Sequence, residues 1–432
     1  MKLQGLNVLV DGYNLEMVQG TGIKTYGVAL VKALTSLGVN VDLLCSRYSN
    51  SNSNNSVLNE ALFFDRQNTS VSSRKSQAKN IFLAATQRFQ EAKTIPVSDF
   101  VIKQDGDFIF DYLASSGKIF NIYDCYKLAN NLYKLFQIQT KVRIPKKIDI
   151  WHTSYPIPIK VNNAKRITTI HDIIPLKIPH TTLDDKKFFF NIVNNAIKHS
   201  EIILTVSKTT KQDILHCFDI QPEKIHVTYQ PIIDNSNLIE EDMIPIFLKK
   251  YKLNFKNYIL FVGAIEPKKN VGRLIDAYSG LDTDMQLVIV GKKGWLWKDE
   301  IVKLEAIFDG GFTGNVKLLE YVPKKDLTYL YKGAFCFVFP SLYEGFGLPP
   351  LEAMSLGCPV ITSNVASLPE VCGDAALYVD PYNSDDIRQA IEKLINNPQM
   401  QTQLVEAGKE RVEFFSMENY TKKLYNAYSL VI

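Results

Sequence analysis

The stretch "PSLYEGFGLPPLEAMSLG", residues 340 to 357, sets two carboxylates, Glu344 and Glu352, around two glycines and a Pro-Pro pair. Just before it, "FCFVFP" (335 to 340) is a short apolar run of aromatic and β-branched residues, the mark of a buried parallel strand. The chain must then turn. Gly345 and Gly347 permit backbone angles closed to other residues and let a ligand approach the main chain. Pro349 or Pro350 suits the first turn of a helix, where a missing N–H costs nothing. A helix is therefore expected from about residue 350, ended by Gly357-Cys358-Pro359. Its N-terminus faces the crevice at the carboxyl end of a strand, where free N–H groups and the helix dipole bind anions, phosphate above all. Glu352, in the first turn, is placed to accept hydrogen bonds from a cis-diol such as ribose. Glu344, on the other side of the anion, is placed to hold a sugar. The plainer alternatives are a carboxylate that complements the dipole at Glu352 and a solvated loop charge at Glu344.

The same alternation extends outward. In the second half it gives "YILFVG" (258 to 263), a helix near 270 to 279, "QLVIVG" (286 to 291) and "NVKLL" (315 to 319). The first half opens with "LNVLVD" (6 to 11), a helix near 24 to 37 stopping at Gly38, and "NVDLLC" (40 to 45). It continues with "IDIWH" (148 to 152), "RITTIHD" (166 to 172), a helix near 184 to 199, "EIILTVS" (201 to 207) and "KIHVTYQP" (224 to 231). Residues 80 to 140 show no clear period. Strands alternating with helices imply parallel sheets, and 432 residues are long for one core. The expected fold class is α/β: two Rossmann-like domains whose parallel sheets face each other across a central cleft, where ligands bind in open sheets.

Composition narrows the function. With 46% hydrophobic and 22% charged residues the chain is of ordinary globular type. Its net charge of +4 is too mild to argue for a nucleic-acid partner. No apolar run approaches about 18 residues, so no spanning helix is expected. "MKLQGLNVLVDGYN" reads as strand and turn rather than signal peptide. The 6 cysteines form no C-x-x-C pair, which fits reduced thiols. A cytoplasmic protein is the expectation, with the sequons at Asn54 and Asn68 unused.

The string "FVFPSLYEGFGLPPLEAMSLGCPVITSNVASLPEVCGDAALYVDP" (337 to 381), with its Glu-x7-Glu spacing, resembles the nucleotide-binding segment of retaining GT-B glycosyltransferases of family 4, group 1. Bacterial mannosyl- and rhamnosyl-type transferases belong there. The resemblance covers nearly all of 250 to 432. In the first half it covers "GTGIKTY" (20 to 26), "TIHDIIP" (169 to 175) and "LTVSKTTKQDIL" (204 to 215). It implies transfer of a sugar from a nucleotide-diphosphate donor to an acceptor hydroxyl with retention of configuration, in polysaccharide or glycoconjugate biosynthesis. By this resemblance Glu344 contacts the donor sugar, Glu352 the ribose hydroxyls, and the backbone of Gly345, Phe346, Gly347 and Leu348 the donor phosphate or sugar. "GAIEPKKN" (263 to 270) resembles the family's Pro-Arg-Lys-Asn element, so Lys268 and Lys269 would neutralise the departing diphosphate. Lys268 replaces the usual arginine and lacks its bidentate fork. Gly20 and Gly22 would approach the diphosphate from the first domain. His171 would stand by the donor sugar, positioning it by a hydrogen bond or moving a proton. Asp172 falls on the acceptor side, or caps the next turn. Val322, in "EYVPKKDL" (320 to 327), matches the loop whose backbone reads the base. Trp295, in "GKKGWLW" (291 to 297), packs under the base or closes the domain core.

The domains implied are an acceptor-binding domain over 1 to 235, a nucleotide-sugar domain over 250 to 415, and a terminal segment over 416 to 432 that crosses back, with Met417 where the family has tryptophan. No side chain is an evident nucleophile, so the expected mechanism is front-face: the diphosphate leaves and its oxygen takes the acceptor proton. The Asp-x-Asp sequences "DGD" (105 to 107) and "DTD" (282 to 284) read as a turn and a connector. No metal and no cofactor are therefore expected. The partners expected are a nucleotide-diphosphate sugar and a glycan or lipid-linked acceptor. Arg66, Arg74, Lys75 and Lys79 beside "IFLAA" (81 to 85), with Lys141, Arg143, Lys146 and Lys147, suggest peripheral contact with the inner membrane face. A solvated loop face accounts for the same charges. Two other classes stay open: a phosphorylase or hydrolase on this fold, which would resemble a pyridoxal-phosphate family, and a non-catalytic sugar-nucleotide binder, which would lack Glu344 or Lys269.

Overall fold

The computed structural model describes residues 2–16, 22–49, 55–65, 89–102, 117–233, 239–298, 300 and 315–432. Gly20, the "DGD" sequence, and the cluster from Arg66 through "IFLAA" lie outside the described residues. The strands of the first half are β1 (Asn7–Asp11), β2 (Asn40–Cys45), β3 (Gln90–Glu91), β4 (Lys93–Ile95), β5 (Ile119–Asn121), β6 (Thr140–Arg143), β7 (Ile150–Thr153), β8 (Ile159–Val161), β9 (Lys165–Ile170), β10 (Ile202–Thr205) and β11 (Ile225–Val227). Those of the second half are β12 (Tyr258–Val262), β13 (Gln286–Val290), β14 (Val316–Leu319), β15 (Cys336–Phe339), β16 (Val360–Ser363) and β17 (Ala376–Val379). The central strands are buried end to end because helices cover both faces, as all residues of β7, β10, β15 and β16 show.

The second sheet is parallel throughout, in the order β14-β13-β12-β15-β16-β17. Chain order runs outward in both directions from the β12–β15 pair, so the loops after these two strands diverge and leave a crevice at their carboxyl ends. The first sheet, β11-β10-β9-β7-β1-β2-β5-β4, has the same reversal between β1 and β7. It is not purely parallel, because β4 pairs antiparallel to β5 at its edge. The stretch without a period, 80 to 140, holds β3, β4, β5 and the helix Cys125–Phe136. Strands of 2 and 3 residues are too short to show an alternation. A small third sheet, β3-β6-β8, was equally unreadable.

The decisive helix spans Leu348–Ser355. Gly347 precedes it at φ +106° and Gly357 follows it at φ +68°. The Cys358 amide donates to the Ala353 carbonyl and the Gly357 amide to that of Met354, each at 3.0 Å, a Schellman ending. The helix starts earlier than residue 350, so Glu352 lies in its second turn rather than its first.

The last helix, Met417–Ser429, packs on helix Gly22–Ser36 of the first domain. Here the buried Tyr428 hydroxyl is 2.6 Å from His152 Nδ1, and His152 Nε2 is 2.9 Å from Thr169 Oγ1. Burial lowers the His152 pKa to about 3. Among the described residues no helix is long and apolar enough to cross a membrane. The second basic cluster is largely paired: Arg143 with Glu91 at 3.3 Å, Lys146 with Asp42 at 2.8 Å and Lys147 with Asp149 at 3.0 Å.

Replacing Tyr428 with Phe leaves a buried imidazole nitrogen short of its partner. The expected loss is about 1–3 kcal/mol, read as a lower melting temperature at neutral pH. An unchanged melting temperature would contradict a closed hydrogen-bond chain at this helix.

Candidate functional site

The crevice of the second sheet is stitched together by its two loops. The loop after β12 ends in a short 3-10 turn, Pro267–Lys269, and the loop after β15 runs from Pro340 to Gly347. The Leu342 amide donates to the Lys268 carbonyl at 2.8 Å. Asn270, buried and left-handed at φ +61°, donates from Nδ2 to the carbonyls of Pro340 at 2.9 Å and Pro381 at 2.6 Å. Sequence reasoning passed over this asparagine, although it closes the "PKKN" element.

The loops bring Lys269 and Glu344 together, Nζ to Oε1 at 2.5 Å, with side chains only 13% and 11% exposed. Lys268 lies 3.4 Å from Glu266 and 5.9 Å from the centre of the Trp295 ring. Burial pushes the Glu344 carboxyl up, but the ammonium groups of Lys269 and Lys268 outweigh it and hold the pKa below the usual range. For Lys268 burial acts downward, yet Glu344, Glu266 and Asp172 together raise its pKa. Asp172 and Glu266 are both raised, chiefly by burial, against the pull of the lysines. At neutral pH Glu344 is a carboxylate and Lys268 an ammonium.

Glu352 stands apart from this pair. It is half-buried, and its Oε2 accepts from the Tyr331 hydroxyl at 3.3 Å. The surrounding protein raises its pKa by desolvation, opposed by Lys324. The helix N-terminus next to it offers fewer donors than its dipole suggests, because Pro349 and Pro350 have no N–H. Gly347 and Leu348 supply the amides that remain in the first turn. Phe346 is buried edge-on against Phe415, ring centres 5.4 Å apart, and the Val322 side chain is buried in the domain core.

The first domain meets these loops directly. A Cβ on Gly345 would lie 2.4 Å from the His171 carbonyl oxygen and 2.8 Å from Asp172 Cβ. His171 is buried, its ring edge-on to Tyr26 with centres 4.8 Å apart. Burial lowers its pKa to about 4, against a hydrogen bond to Ser154. His171 Nε2 is 3.0 Å from the Ser154 carbonyl, which can only accept, so the neutral ring carries its proton there and leaves Nδ1 as an acceptor. Ser154 in turn donates its amide to the buried carboxylate of Asp11. Burial raises that carboxyl to about 6, opposed by the Ser154 and Tyr13 amides. Asp11, at the end of β1, and Ser154, the residue after β7, form a support behind His171 that sequence reasoning missed. The only hint was an acidic residue ending an apolar strand.

Asp172 Oδ1 accepts the Ile174 amide at 3.0 Å, the turn-capping arrangement. Gly22 opens the first helix, its carbonyl accepts from Gln230 Nε2 at 2.9 Å, and a Cβ on it would lie 3.9 Å from Leu348. Trp295 does not close the domain core. It is 38% exposed, and its indole N–H donates to the Thr181 carbonyl of the first domain at 2.7 Å. Lys268, Lys269, Glu344, Gly345, His171 and Asp172 thus share one locus, Phe346 to Leu348 and Gly22 border it, and Glu352 and Val322 lie to one side. Among the described residues no group of three or more His, Cys, Asp or Glu is arranged to hold a metal ion.

Two family models match the chain: "Glycosyl transferases group 1" over residues 245–411 and "Glycosyltransferase Family 4" over 112–235. The O-antigen chain mannosyltransferase B of Escherichia coli is 35% identical over 291 residues, covering 65% of this chain and 74% of that protein. The serotype-specific mannosyltransferase WbdA of Escherichia coli is 31% identical over 254 residues, which are 56% of this chain but 31% of the relative's length. Among solved structures, that of Anabaena HepE in complex with UDP and glucose superposes with a TM-score of 0.66, covering 98% of this chain and 99% of that chain at 13% identity. That likeness is one of fold. The chain belongs to the group 1 glycosyltransferases and has their two-domain GT-B architecture.

Proposed function

We propose that this glycosyltransferase moves a mannosyl group from a nucleoside-diphosphate sugar to a hydroxyl of a growing, lipid-linked glycan at the inner membrane face, with retention of configuration. The observation that carries the reading is the Lys269–Glu344 pair at the mouth of the β12–β15 crevice. The printed names of the relatives support mannose and an O-antigen-like acceptor. Glu344 holds Lys269 through an ion pair. A diphosphate arriving beside the lysines competes for that ammonium and frees the carboxylate to accept from a sugar hydroxyl. As the anomeric C–O bond breaks, negative charge grows on the diphosphate oxygen, where Lys268, Lys269 and the amides of Gly347 and Leu348 stabilise it. The same oxygen takes the acceptor proton while the acceptor oxygen bonds to the anomeric carbon from that face. His171, neutral, accepts from a donor hydroxyl through Nδ1 and fixes its orientation. Glu352 accepts from the ribose hydroxyls.

Turnover with a panel of GDP-, UDP-, dTDP- and ADP-sugars, with the anomer of the product read by NMR, tests the reaction itself. An inverted anomer would overturn retention. Glu352→Ala is expected to weaken nucleoside-diphosphate binding by about 1.5–3 kcal/mol, or roughly 10- to 100-fold. Glu344→Gln should leave that affinity nearly intact and lower kcat by roughly 10²- to 10³-fold. Equal loss of affinity in both variants would end the division of labour.

Since lysines carry the diphosphate charge in this reading, activity should survive exhaustive chelation. Activity abolished by chelator and restored by Mg2+ or Mn2+ would refute that part. The pH profile gives a further check. With a pKa of about 4, His171 stays neutral as pH falls from 7.5 to 5.5, so kcat/KM should show no acid limb from it in that range. A limb centred near 6.5 that disappears in His171→Gln would assign it the proton-transfer role instead.

A further inference from the structure

Behind the Glu344 loop, hydrogen bonds close a ring that passes through both domains. The buried Ser367 hydroxyl is 2.8 Å from the carbonyl oxygens of both Glu344 and Phe346. The carbonyl between them, that of Gly345, lies 3.3 Å from Thr210 Oγ1, which is also 3.0 Å from the His171 carbonyl. Thr210 belongs to helix Lys208–Cys217 of the first domain, where the Ser207 side chain already caps the Thr210 amide at 3.0 Å. The amides of Lys208 and Thr209 at that terminus donate to the carboxylate of Glu370, at 2.8 and 3.1 Å, and the Thr209 hydroxyl adds a third bond at 3.2 Å.

Glu370 comes from the second domain, on the short helix Leu368–Cys372 that follows Ser367. Its backbone is fixed by Arg411, whose guanidinium donates to the carbonyls of Glu370 at 2.5 Å and Val371 at 2.7 Å. The same turn is strained. Ala366 is left-handed at φ +55°, against its preference, and its carbonyl accepts from Thr209 Oγ1 at 3.3 Å. A carboxylate is the right group here, because it offers two acceptor oxygens and a negative charge to a helix N-terminus.

We propose that Glu370 is a positioning residue: by clasping the start of helix Lys208–Cys217 it keeps the loop Glu344 to Phe346 seated, so that the loop is set only while the two domains touch. The consequence for catalysis rests on the role given above to Glu344, whereas the clasp does not. Spin labels at Lys198→Cys and Lys409→Cys, exposed positions in the first and second domains, read the domain separation without any substrate. A Cys217→Ser background suits them, since the other cysteines are buried. Glu370→Ala is expected to broaden the distance distribution and move it to longer separations, with Glu370→Gln between it and the wild type. In the same variants kcat with the donor found active should fall roughly 10- to 100-fold for Ala and less for Gln. GDP or UDP affinity should change by less than about twofold, a split that general destabilisation would not produce. Two results would overturn the proposal: an unchanged distance distribution in folded Glu370→Ala, or a fall in kcat matched by an equal fall in nucleotide affinity. If the distances respond but no nucleotide sugar is consumed even by the wild type, the clasp stands and the functional reading fails.

Discussion

One steric condition holds the site together: position 345 has no Cβ. Any side chain there would drive an atom to 2.4 Å from the His171 carbonyl oxygen and 2.8 Å from Asp172. The contact, not the backbone angle, imposes the glycine, since Gly347 has the positive φ in this loop and Gly345 does not. Because this approach is allowed, the carboxyl ends of the two sheets meet. Asp172 then comes within electrostatic range of Lys268 and Glu344. An alanine at 345 would set its Cβ against this contact between the two domains.

The charges at that point are set against one another by the protein itself. Two ammonium groups sit among three carboxylates, Glu344, Glu266 and Asp172, and burial raises the pKa of the last two. Such a cluster adds little to stability, because desolvation offsets most of the attraction, yet removing one member strands a buried charge at about 3–5 kcal/mol. The prolines that open helix Leu348–Ser355 leave its N-terminus two amides short of a full set of donors.

Much of this was legible in the sequence. The central strands announced themselves as apolar runs, and β2, "NVDLLC", fell where the letters put it. The parallel pairing in both sheets followed from the alternation, and the antiparallel edge strand β4 did not. The edges were not legible, because a strand such as Lys93–Ile95 is too short to have a period and owes its place to its neighbour Ile119–Asn121. Within the candidate site, Lys269 and Glu344 were singled out by resemblance, and the structure brings their side chains together. Asn270, Asp11, Ser154 and Glu370 were not singled out. Each acts through a partner from 70 to 162 positions away, and a linear reading contains nothing of that distance.

The crossing-back of helix Met417–Ser429 has a consequence for how the protein is made. The first sheet is complete in sequence once β11 has left the ribosome, but the surface bearing Tyr26 and His152 stays uncovered until the final helix emerges. At about 5–20 residues per second, that delay is on the order of 10–40 s. During it the second domain can fold on its own contacts while the first waits with an apolar face open to solvent. The second domain is thus synthesised before the first can be covered, and for that interval the early half keeps this face unburied.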